Sequence, residues 1–197
     1  MIKVIIFDAD GMTIKQERPS IFLPRDYGIN AESLLLFFNG PFQECLIGKA
    51  DLKEILPPFL NVWGWDKGVE AFLNLWFSRE IYINEDVVKY INDFKSRGIL
   101  CSLATNQEKY RLQYFLNQLG FSSIFDRVYS STKIGHKKPS REFFSEIFKD
   151  FKNIKKEEIL FWDDRPKSVE EAKKFGFNAE LYISLEDFEE KIKKYLI

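Results

Sequence analysis

Two carboxylates near the start of the chain, Asp8 and Asp10, have the type and spacing to carry out chemistry together. They directly follow an unbroken apolar run, VIIF at 4–7, which is typical of a strand buried on both faces of a parallel sheet. In open α/β folds, ligands bind at the carboxyl edge of the sheet. At that edge one acid can attack an electrophile while its neighbour transfers a proton.

The same stretch also allows a hairpin. Asp10-Gly11 is a good two-residue turn, and the apolar residues on either side of it could form two ordinary strands. The local pattern gives these two interpretations about equal weight. The rest of the chain therefore has to decide between them.

Length, composition and charge limit the classes of protein. A chain of 197 residues allows one large domain or a core with a smaller insertion, and 45% hydrophobic with 30% charged residues is typical of a soluble globular protein. The formal net charge of −1 provides no field to attract nucleic acid or acidic membranes. We therefore expect a small-molecule substrate, no nucleic acid or membrane partner, and a monomer or weak dimer.

The cysteines and the apolar runs favour a cytoplasmic protein. Cys45 and Cys101 lie far apart, and two reduced, buried thiols fit this sequence better than one disulfide. An acid by position 8 with no long apolar segment argues against a signal peptide. No run approaches the roughly 18 to 20 apolar residues of a membrane span.

Residues 15–83 differ in pattern from the rest of the chain. They are rich in Phe, Leu and Trp at spacings of three and four, which is typical of helices. Gly40-Pro41, Gly48 and Pro57-Pro58 indicate turns between short helices. We predict a small all-helical insertion, or cap, of about four helices, with the aromatic side chains as its core.

After Asn84, a plausible helix N-cap, helices and strands alternate. Further strands are predicted at 99–104, 127–129, 159–162 and 179–183, with helices at 84–98, from 108, around 143–148, at 169–175 and at 186–196. This alternation predicts an α/β fold with a doubly wound parallel sheet. The catalytic core would consist of residues 1–14 and 84–197.

Polar residues follow four of the predicted strands. Asp8 and Asp10 follow the first, Thr105-Asn106 the second, a loop with Lys138 the third, and Asp163-Asp164 the fourth. Parallel strands end at one edge of a sheet, so these groups are expected to converge. The hairpin interpretation of Asp10-Gly11 explains none of the other three clusters, so we favour the parallel sheet.

Four carboxylates in one cleft need a counter-charge. Each close pair of like charges costs about 4 kcal/mol at an effective dielectric of 20 and a separation of ~4 Å. Either some of the acids are protonated or a cation lies among them. With oxygen ligands and no Cys or His nearby, the expected ion is Mg²⁺ rather than zinc.

The other groups suit phosphate chemistry. A Thr hydroxyl and backbone N–H groups at a helix start can hold phosphoryl oxygens, and a Lys supplies a point charge for the same oxygens. A carboxylate that attacks phosphorus gives an aspartyl-phosphate, which divides one difficult step into two. The neighbouring acid can protonate the leaving oxygen and later activate water.

Four short motifs resemble those of the haloacid-dehalogenase-like (HAD) hydrolase superfamily. They are DADGMT at 8–13, ATN at 104–106, KKP at 137–139 and FWDD at 161–164, in the order and spacing of that family. The resemblance covers residues 1–14 and about 85–185. The insertion resembles the helical cap of the branch that includes small sugar-phosphate and nucleotide phosphatases.

The resemblance implies a role for each matching residue. Asp8 would be the nucleophile and Asp10 the general acid/base, with the Asp10 backbone carbonyl also binding magnesium. Thr105, Asn106 and Lys138 would bind the phosphate. Asp164 is the first choice for direct contact with Mg²⁺, and Asp163 would bind it directly or through water.

The resemblance favours a phosphatase and leaves other functions open. Dehalogenating members lack an acid at the position of Asp10, because they have no leaving oxygen to protonate. A phosphomutase of the same family is the main alternative. A phospho-accepting receiver domain or a binding protein with a vestigial site ranks lower, because a receiver places its acid pair on the first strand and its accepting Asp on a middle one.

Three further residues are candidates for the site: His136, Lys49 and Arg165. His136 is the only histidine and has no G-x-S-x-G motif to accompany it, so we interpret it as a loop residue. Lys49 in the insertion and Arg165 after the acid pair could contact the substrate. An exposed lysine or arginine is the simpler interpretation of each.

Overall fold

The structure is a computed structural model that describes residues 1–79 and 81–195. Its strands are β1 (Val4–Phe7), β2 (Ile14–Gln16), β3 (Ile81–Ile83), β4 (Leu100–Thr105), β5 (Arg127–Ser130), β6 (Ile159–Asp163) and β7 (Asn178–Leu181). The first six helices are α1 (Pro19–Tyr27), α2 (Ala31–Asn39), α3 (Phe42–Leu46), α4 (Leu52–Ile55), α5 (Pro57–Val62) and α6 (Gly68–Ser78). The others are α7 (Glu85–Ser96), α8 (Lys109–Asn117), α9 (Phe121–Ile124), α10 (Ser131–Ile134), α11 (Arg141–Phe148), α12 (Pro166–Phe175) and α13 (Leu185–Ile192), with 3₁₀ turns at Lys156–Glu158 and Lys193–Tyr195.

The main sheet has five parallel strands in the order β5-β4-β1-β6-β7. Strand β1 lies at its centre and pairs with β4 on one side and β6 on the other. The strand order reverses at β1, and such a switch point opens a crevice at the carboxyl ends of the strands. The predicted parallel sheet is confirmed, and the hairpin interpretation of Asp10-Gly11 is wrong because β1 does not pair with β2.

Helices cover both faces of this sheet, as expected of a doubly wound fold. Side chains along a strand point to alternate faces, so Ile5 and Phe7 belong to one buried cluster and Val4 and Ile6 to another. The first cluster includes apolar side chains of α7 and α13, and the second includes those of α11 and α12. An apolar strand such as β1 is stable only between two such layers.

The helical insertion has a hydrophobic cluster of its own. Helices α1 to α6 lie within it, two more than the sequence predicted in the part of the chain that the structure describes. Three of the six are short, with five, four and six residues in α3, α4 and α5, and such lengths show little of a helical period in the sequence. That the insertion, residues 15–83, forms a cap domain separate from the core stays a prediction.

A two-stranded antiparallel ribbon joins the insertion to the sheet. Strand β2 pairs with β3, so the chain leaves the core and returns to it through adjacent strands. Three-residue strands are too short to show a period in the sequence, and the ribbon was therefore not predicted. The helices of the insertion consequently begin and end beside the loop that carries Asp8 and Asp10.

Asn84 has a different role from the one predicted. It occupies the N-cap position of α7, but its side chain does not cap the helix. It donates hydrogen bonds to the carbonyl of Met12 and to the hydroxyl of Tyr182, both at 3.0 Å. Asn84 thereby fixes the loop after β1 against the core.

The other predicted strands and helices agree with the structure to within a few residues. The predicted last helix reaches 196, which lies outside the described residues; α13 ends at Ile192 and a 3₁₀ turn follows to Tyr195. Within residues 1–79 and 81–195, no helix has the length and apolar character needed to cross a bilayer.

We predict that the insertion depends on Phe37 for its stability. Its buried ring lies 4.9 Å from Phe59 and 5.4 Å from Trp63, measured between ring centroids. Phe37→Ala should lower the free energy of unfolding by about 3–5 kcal/mol in urea titrations, because it leaves a cavity among aromatic rings. The neighbouring Leu36→Ala, at a side chain that is 68% exposed, should change it by less than about 0.5 kcal/mol. Equal effects of the two changes would contradict this packing.

Candidate functional site

Three carboxylates meet at the carboxyl edge of the sheet. Asp8 follows β1, Asp163 ends β6 and Asp164 follows it, and one oxygen of each lies within 4.8 Å of the others. We call these three residues the acid cluster. The predicted convergence of the first and fourth strand ends is therefore present, because β1 and β6 are paired neighbours in the sheet.

Lys138 lies between two members of the acid cluster. Its Nζ is 2.7 Å from Asp8 Oδ1 and 2.6 Å from Asp163 Oδ2, and its side chain is buried. Asn106 holds the Lys138 backbone in place: its Oδ1 accepts from the Lys138 N–H at 2.8 Å and its Nδ2 donates to the Lys138 carbonyl at 2.9 Å. The Asn106 side chain thus positions Lys138, although the sequence suggested a phosphate ligand.

Burial and neighbouring charges both shift the pKa values of Asp8 and Lys138. Desolvation, together with the charge of Asp163, raises the pKa of Asp8 to about 7 although Lys138 acts in the opposite direction. Desolvation alone would lower the pKa of Lys138, but the charges of Asp8 and Asp163 outweigh it and hold that pKa above its usual value. The charges of Asp8 and Asp163 thus favour the protonated form of Lys138, while burial favours the protonated form of Asp8.

Asp163, the last residue of β6, and Asp164, which follows it, differ in their hydrogen bonds. Asp163 has both oxygens occupied, because Oδ1 accepts from the Arg165 N–H at 2.8 Å and Oδ2 from Lys138. Asp164 Oδ1 is buried and has no hydrogen-bond partner among the described residues, with Arg165 Nε 3.9 Å away. Burial and the charge of Asp163 raise the pKa of Asp164. Within the described residues, Asp164 thus has a buried oxygen without a hydrogen-bond partner, whereas both oxygens of Asp163 are occupied.

Gly11 allows Asp164 to approach the loop after β1. Its φ of +88° is in the left-handed region, and a Cβ at this position would collide with the Asp164 carboxylate. A glycine is therefore needed at position 11 for two reasons. The backbone adopts a left-handed conformation, and the Asp164 side chain leaves no room for a Cβ.

Asp10 has a partner that was not predicted from the sequence. Arg111, on α8, makes two parallel hydrogen bonds to its carboxylate, from Nη1 to Oδ2 at 2.8 Å and from Nη2 to Oδ1 at 2.7 Å. Gln107 donates a further hydrogen bond to Oδ2. Desolvation raises the pKa of Asp10, but the charge and hydrogen bonds of Arg111 outweigh it, and the pKa lies below its usual value.

Arg111 also connects Asp10 to the ribbon and the insertion. It donates to Oε1 of Gln16, the last residue of β2, while Gln16 Nε2 donates to the carbonyl of Trp76 at 2.8 Å near the end of α6. One continuous set of hydrogen bonds therefore runs from Asp10 through Arg111 and Gln16 to the helices of the insertion. An arginine at one position of an amphipathic helix gives no sequence signal for such a role.

Two threonines lie close to the acid cluster. Thr105, the last residue of β4, is buried at the same edge of the sheet, and the N-cap of the following helix is Glu108, whose side chain accepts from the Tyr110 N–H at 2.8 Å. Thr13 was not singled out in the sequence; its hydroxyl donates to the Asp8 carbonyl at 2.9 Å. Thr13 thus holds the backbone of the loop that carries Asp8.

A cavity of about 710 Å³ lies between this edge of the sheet and the insertion. We call it the cleft. Asp10, Asn106, Lys138, Asp164 and Arg165 line it. The other residues considered for the site are not among its lining residues: Asp8, Thr105, Asp163, Lys49 and His136. Its charged lining is mostly basic: Lys15, Arg18, Arg111, Lys137, Lys138 and Arg165, against Asp10, Glu17 and Asp164.

A comparison with protein families gives one match, to a model described as haloacid dehalogenase-like hydrolase, over residues 42–180. This covers more than half of the chain, although it starts after Asp8 and Asp10. No curated protein matches the chain.

Solved structures with the same fold span nearly the whole chain. A predicted HAD-like family hydrolase from Porphyromonas gingivalis is 26% identical, covers 100% of this chain and 98% of its own, and has a TM-score of 0.81. A HAD family enzyme from Bacteroides thetaiotaomicron, solved in complex with magnesium and inorganic phosphate, is 19% identical over 97% and 99%, with a TM-score of 0.81. L-2-haloacid dehalogenase from Xanthobacter autotrophicus is 21% identical over 100% and 84%, with a TM-score of 0.66.

We predict a pH-dependent contribution of Arg111 to stability. A carboxylate whose pKa is lowered in the folded state stabilises the fold above its unfolded pKa, and this stabilisation disappears as the pH falls through the folded pKa. Arg111→Met should therefore lower the free energy of unfolding by about 1–3 kcal/mol at neutral pH. The loss should shrink when unfolding is measured below about pH 4, because the stabilisation disappears as the pH falls from the unfolded pKa through the lowered pKa of Asp10.

The control is Arg97→Met, which removes an exposed ion pair with Asp93 and should have little effect at either pH. If the effect of Arg111→Met is the same at both pH values, Arg111 stabilises the fold through its packing on Phe115, not through Asp10.

Proposed function

Because the chain belongs to the haloacid dehalogenase-like hydrolase family, we propose that it is a magnesium-dependent phosphatase that hydrolyses a small phosphorylated metabolite through an aspartyl-phosphate. The observation that supports this most strongly is the arrangement around Asp8. Its carboxylate lies at the switch point of the sheet, in the acid cluster and beside Lys138.

The two oxygens of Asp8 suit a nucleophile. Oδ1 accepts from the Ala9 N–H and lies beside Lys138 Nζ, each at 2.7 Å. In the described part of the chain, no group donates to Oδ2. Two fixed donors orient the carboxylate, and the other oxygen is left to attack phosphorus along one direction. Lys138 also favours the ionised form that the attack requires, against the effect of burial.

The surrounding charges suit a phosphorylated substrate. The basic residues that line the cleft outnumber the acidic ones, and such a surface raises the local concentration of a small anion. We propose that Thr105, the backbone N–H groups that follow it and Lys138 bind the phosphoryl oxygens. Asn106 would serve the same end indirectly, because it holds the loop of Lys138.

The acid cluster fits a magnesium ion. Asp164 Oδ1 is a buried oxygen without a hydrogen-bond partner, and an ion would satisfy it. Oxygen ligands in an all-carboxylate group are those that Mg²⁺ prefers. We propose that Asp164 and the Asp10 carbonyl hold the ion together with Asp8 Oδ1, which Lys138 would release when it turns to the phosphate, and that Asp163, bonded to Arg165 and Lys138, acts through water. The ion would neutralise charge on the phosphoryl group during transfer.

Asp10 would transfer the proton. In the first step the Asp8 oxygen forms a bond to phosphorus while the ester oxygen leaves with a proton from Asp10. In the second step Asp10 removes a proton from water, which attacks phosphorus and releases phosphate and Asp8. The ion pair with Arg111 suits the second step, in which Asp10 must be a carboxylate. For the first step Asp10 must leave Arg111 and take up a proton.

Similar structures support the reaction class without deciding it. The Bacteroides thetaiotaomicron enzyme binds magnesium and inorganic phosphate, whereas the Xanthobacter autotrophicus protein is a dehalogenase of the same fold. Asp10 favours the phosphatase, because a dehalogenase has no leaving oxygen to protonate. We also propose that residues 15–83 act as a cap that determines the substrate, since α2 and α3 line the cleft.

The test is a panel of phosphorylated metabolites assayed for free phosphate in the presence of magnesium. Wild-type protein should release phosphate from at least one of them. Asp8→Asn should lower the rate by at least about 1,000-fold, because an amide cannot form the covalent intermediate. The matched control is Asp66→Asn, at an exposed acid of the insertion, which should retain wild-type activity.

Equal activity of wild type and Asp8→Asn would contradict the assignment of the nucleophile. Turnover of a sugar phosphate to its isomer without release of phosphate would indicate a phosphomutase instead.

A further inference from the structure

We propose that the substrate of this site is a phosphate monoester whose alcohol part is mainly apolar, such as an aryl-substituted alkyl group, and not a polyhydroxylated sugar. This inference rests on the proposed phosphatase function and concerns the part of the cleft that faces the acid cluster. It is based on the side chains of the insertion that line this part of the cleft.

The insertion covers the cleft with an apolar surface. Four of its residues on α2 and α3 form this surface, which we call the apolar wall: Leu35, Phe38, Phe42 and Leu46. Leu35 is 51% exposed and lines the cleft, so a large apolar side chain faces solvent where a ligand would lie. Phe38 packs edge-on against Phe42 and Trp76, which hold its ring in place.

Exposed apolar side chains in a cleft indicate an apolar ligand group. An isolated leucine on a protein surface needs no explanation, but one that extends a contiguous wall inside a concave site does. Leu36, the other exposed leucine of α2, is such an isolated residue and does not line the cleft. The exposed surface of the apolar wall would be removed from water only when an apolar group of a ligand occupies the cleft.

The polar groups beside the wall already have partners. Gln43 donates from Nε2 to the Phe38 carbonyl and accepts at Oε1 from Lys137. Gln16 is bound at both ends by Arg111 and the Trp76 carbonyl, and Glu17 is paired with Arg25. Of the insertion's polar side chains in the cleft, Lys15, Arg18, Ser20 and Asn39 remain. Against the apolar wall itself, the hydroxyl groups of a sugar would lose water without gaining equivalent hydrogen bonds.

The two ends of the cleft therefore differ in chemistry. The acid cluster and Lys138 lie at the sheet edge, where the phosphoryl group reacts, and the apolar wall lies opposite on the insertion. An ester with its phosphate at the sheet edge would place its alcohol part against the wall. This arrangement assigns specificity to Leu35 and Phe38, which touch the alcohol part and not the phosphate.

The test compares two phosphate esters of primary alcohols of similar acidity, 2-phenylethyl phosphate and glycerol 1-phosphate. Because the leaving groups are matched, a difference in kcat/KM reports the fit of the alcohol part. Wild-type protein with magnesium should prefer the phenylethyl ester by at least about 10-fold, the effect of burying a phenyl ring. The change should lie mainly in KM, since the wall does not touch the reacting atoms.

Leu35→Ser and Leu36→Ser form a matched pair on one helix. Leu35→Ser should lower kcat/KM for 2-phenylethyl phosphate by about 3- to 10-fold and leave glycerol 1-phosphate unchanged, because only the former packs on the wall. Leu36→Ser should alter neither value. Circular dichroism of both variants confirms that the helix is retained.

The outcomes separate this inference from the proposed function. An equal rate for the two esters, a preference for glycerol 1-phosphate, or an equal loss on both esters in Leu35→Ser would overturn the apolar specificity while phosphate release still supports the phosphatase. If wild-type protein hydrolyses neither ester nor any metabolite, the phosphatase proposal fails. Calorimetric binding of the two esters to Asp8→Asn then decides the inference: tighter binding of the phenylethyl ester supports it, and equal or weaker binding overturns it.

Discussion

The structure around the carboxyl edge of the sheet depends on one electrostatic constraint: three carboxylates share a small, buried space. Two of them, Asp8 and Asp163, are bridged by the ammonium group of Lys138, which is itself buried and held by Asn106. A single lysine cannot offset three acids, and desolvation together with the charge of Asp163 raises the pKa values of Asp8 and Asp164. The proposed divalent cation would offset the remaining negative charge. Its site would follow from the packing of the strands that bring the acids together.

A second charged pair connects this site to the insertion. Arg111 binds Asp10 with two hydrogen bonds and reaches Gln16 in the ribbon, and Gln16 in turn binds the end of α6. The insertion therefore contributes more than a cover to the cleft. Its apolar wall lines the cleft, while the ribbon is connected through Arg111 to Asp10.

The sequence predicted those parts of the fold that repeat or that end a strand. Apolar runs marked the three central strands of the main sheet, β1, β4 and β6, and the acids at 8 and 163 could be assigned to one edge because parallel strands share it. Arg111 and Asn84 were not predicted in their roles, because each acts through a partner about a hundred residues away in sequence. The ribbon was missed because a three-residue strand has no measurable period. The roles of Asn106 and Lys49 could not be predicted, since loop geometry determines which way a side chain points.

The most direct test of the account is a crystal structure of the protein soaked with Mn²⁺ in place of Mg²⁺, with the ion located by its anomalous scattering. We expect one peak between Asp8 and Asp164, about 2.1 Å from an oxygen of each, with the Asp10 carbonyl as a further ligand. Asp163 should remain bonded to Lys138. A peak elsewhere, or none at saturating Mn²⁺, would contradict the claim that these carboxylates are arranged around a cation.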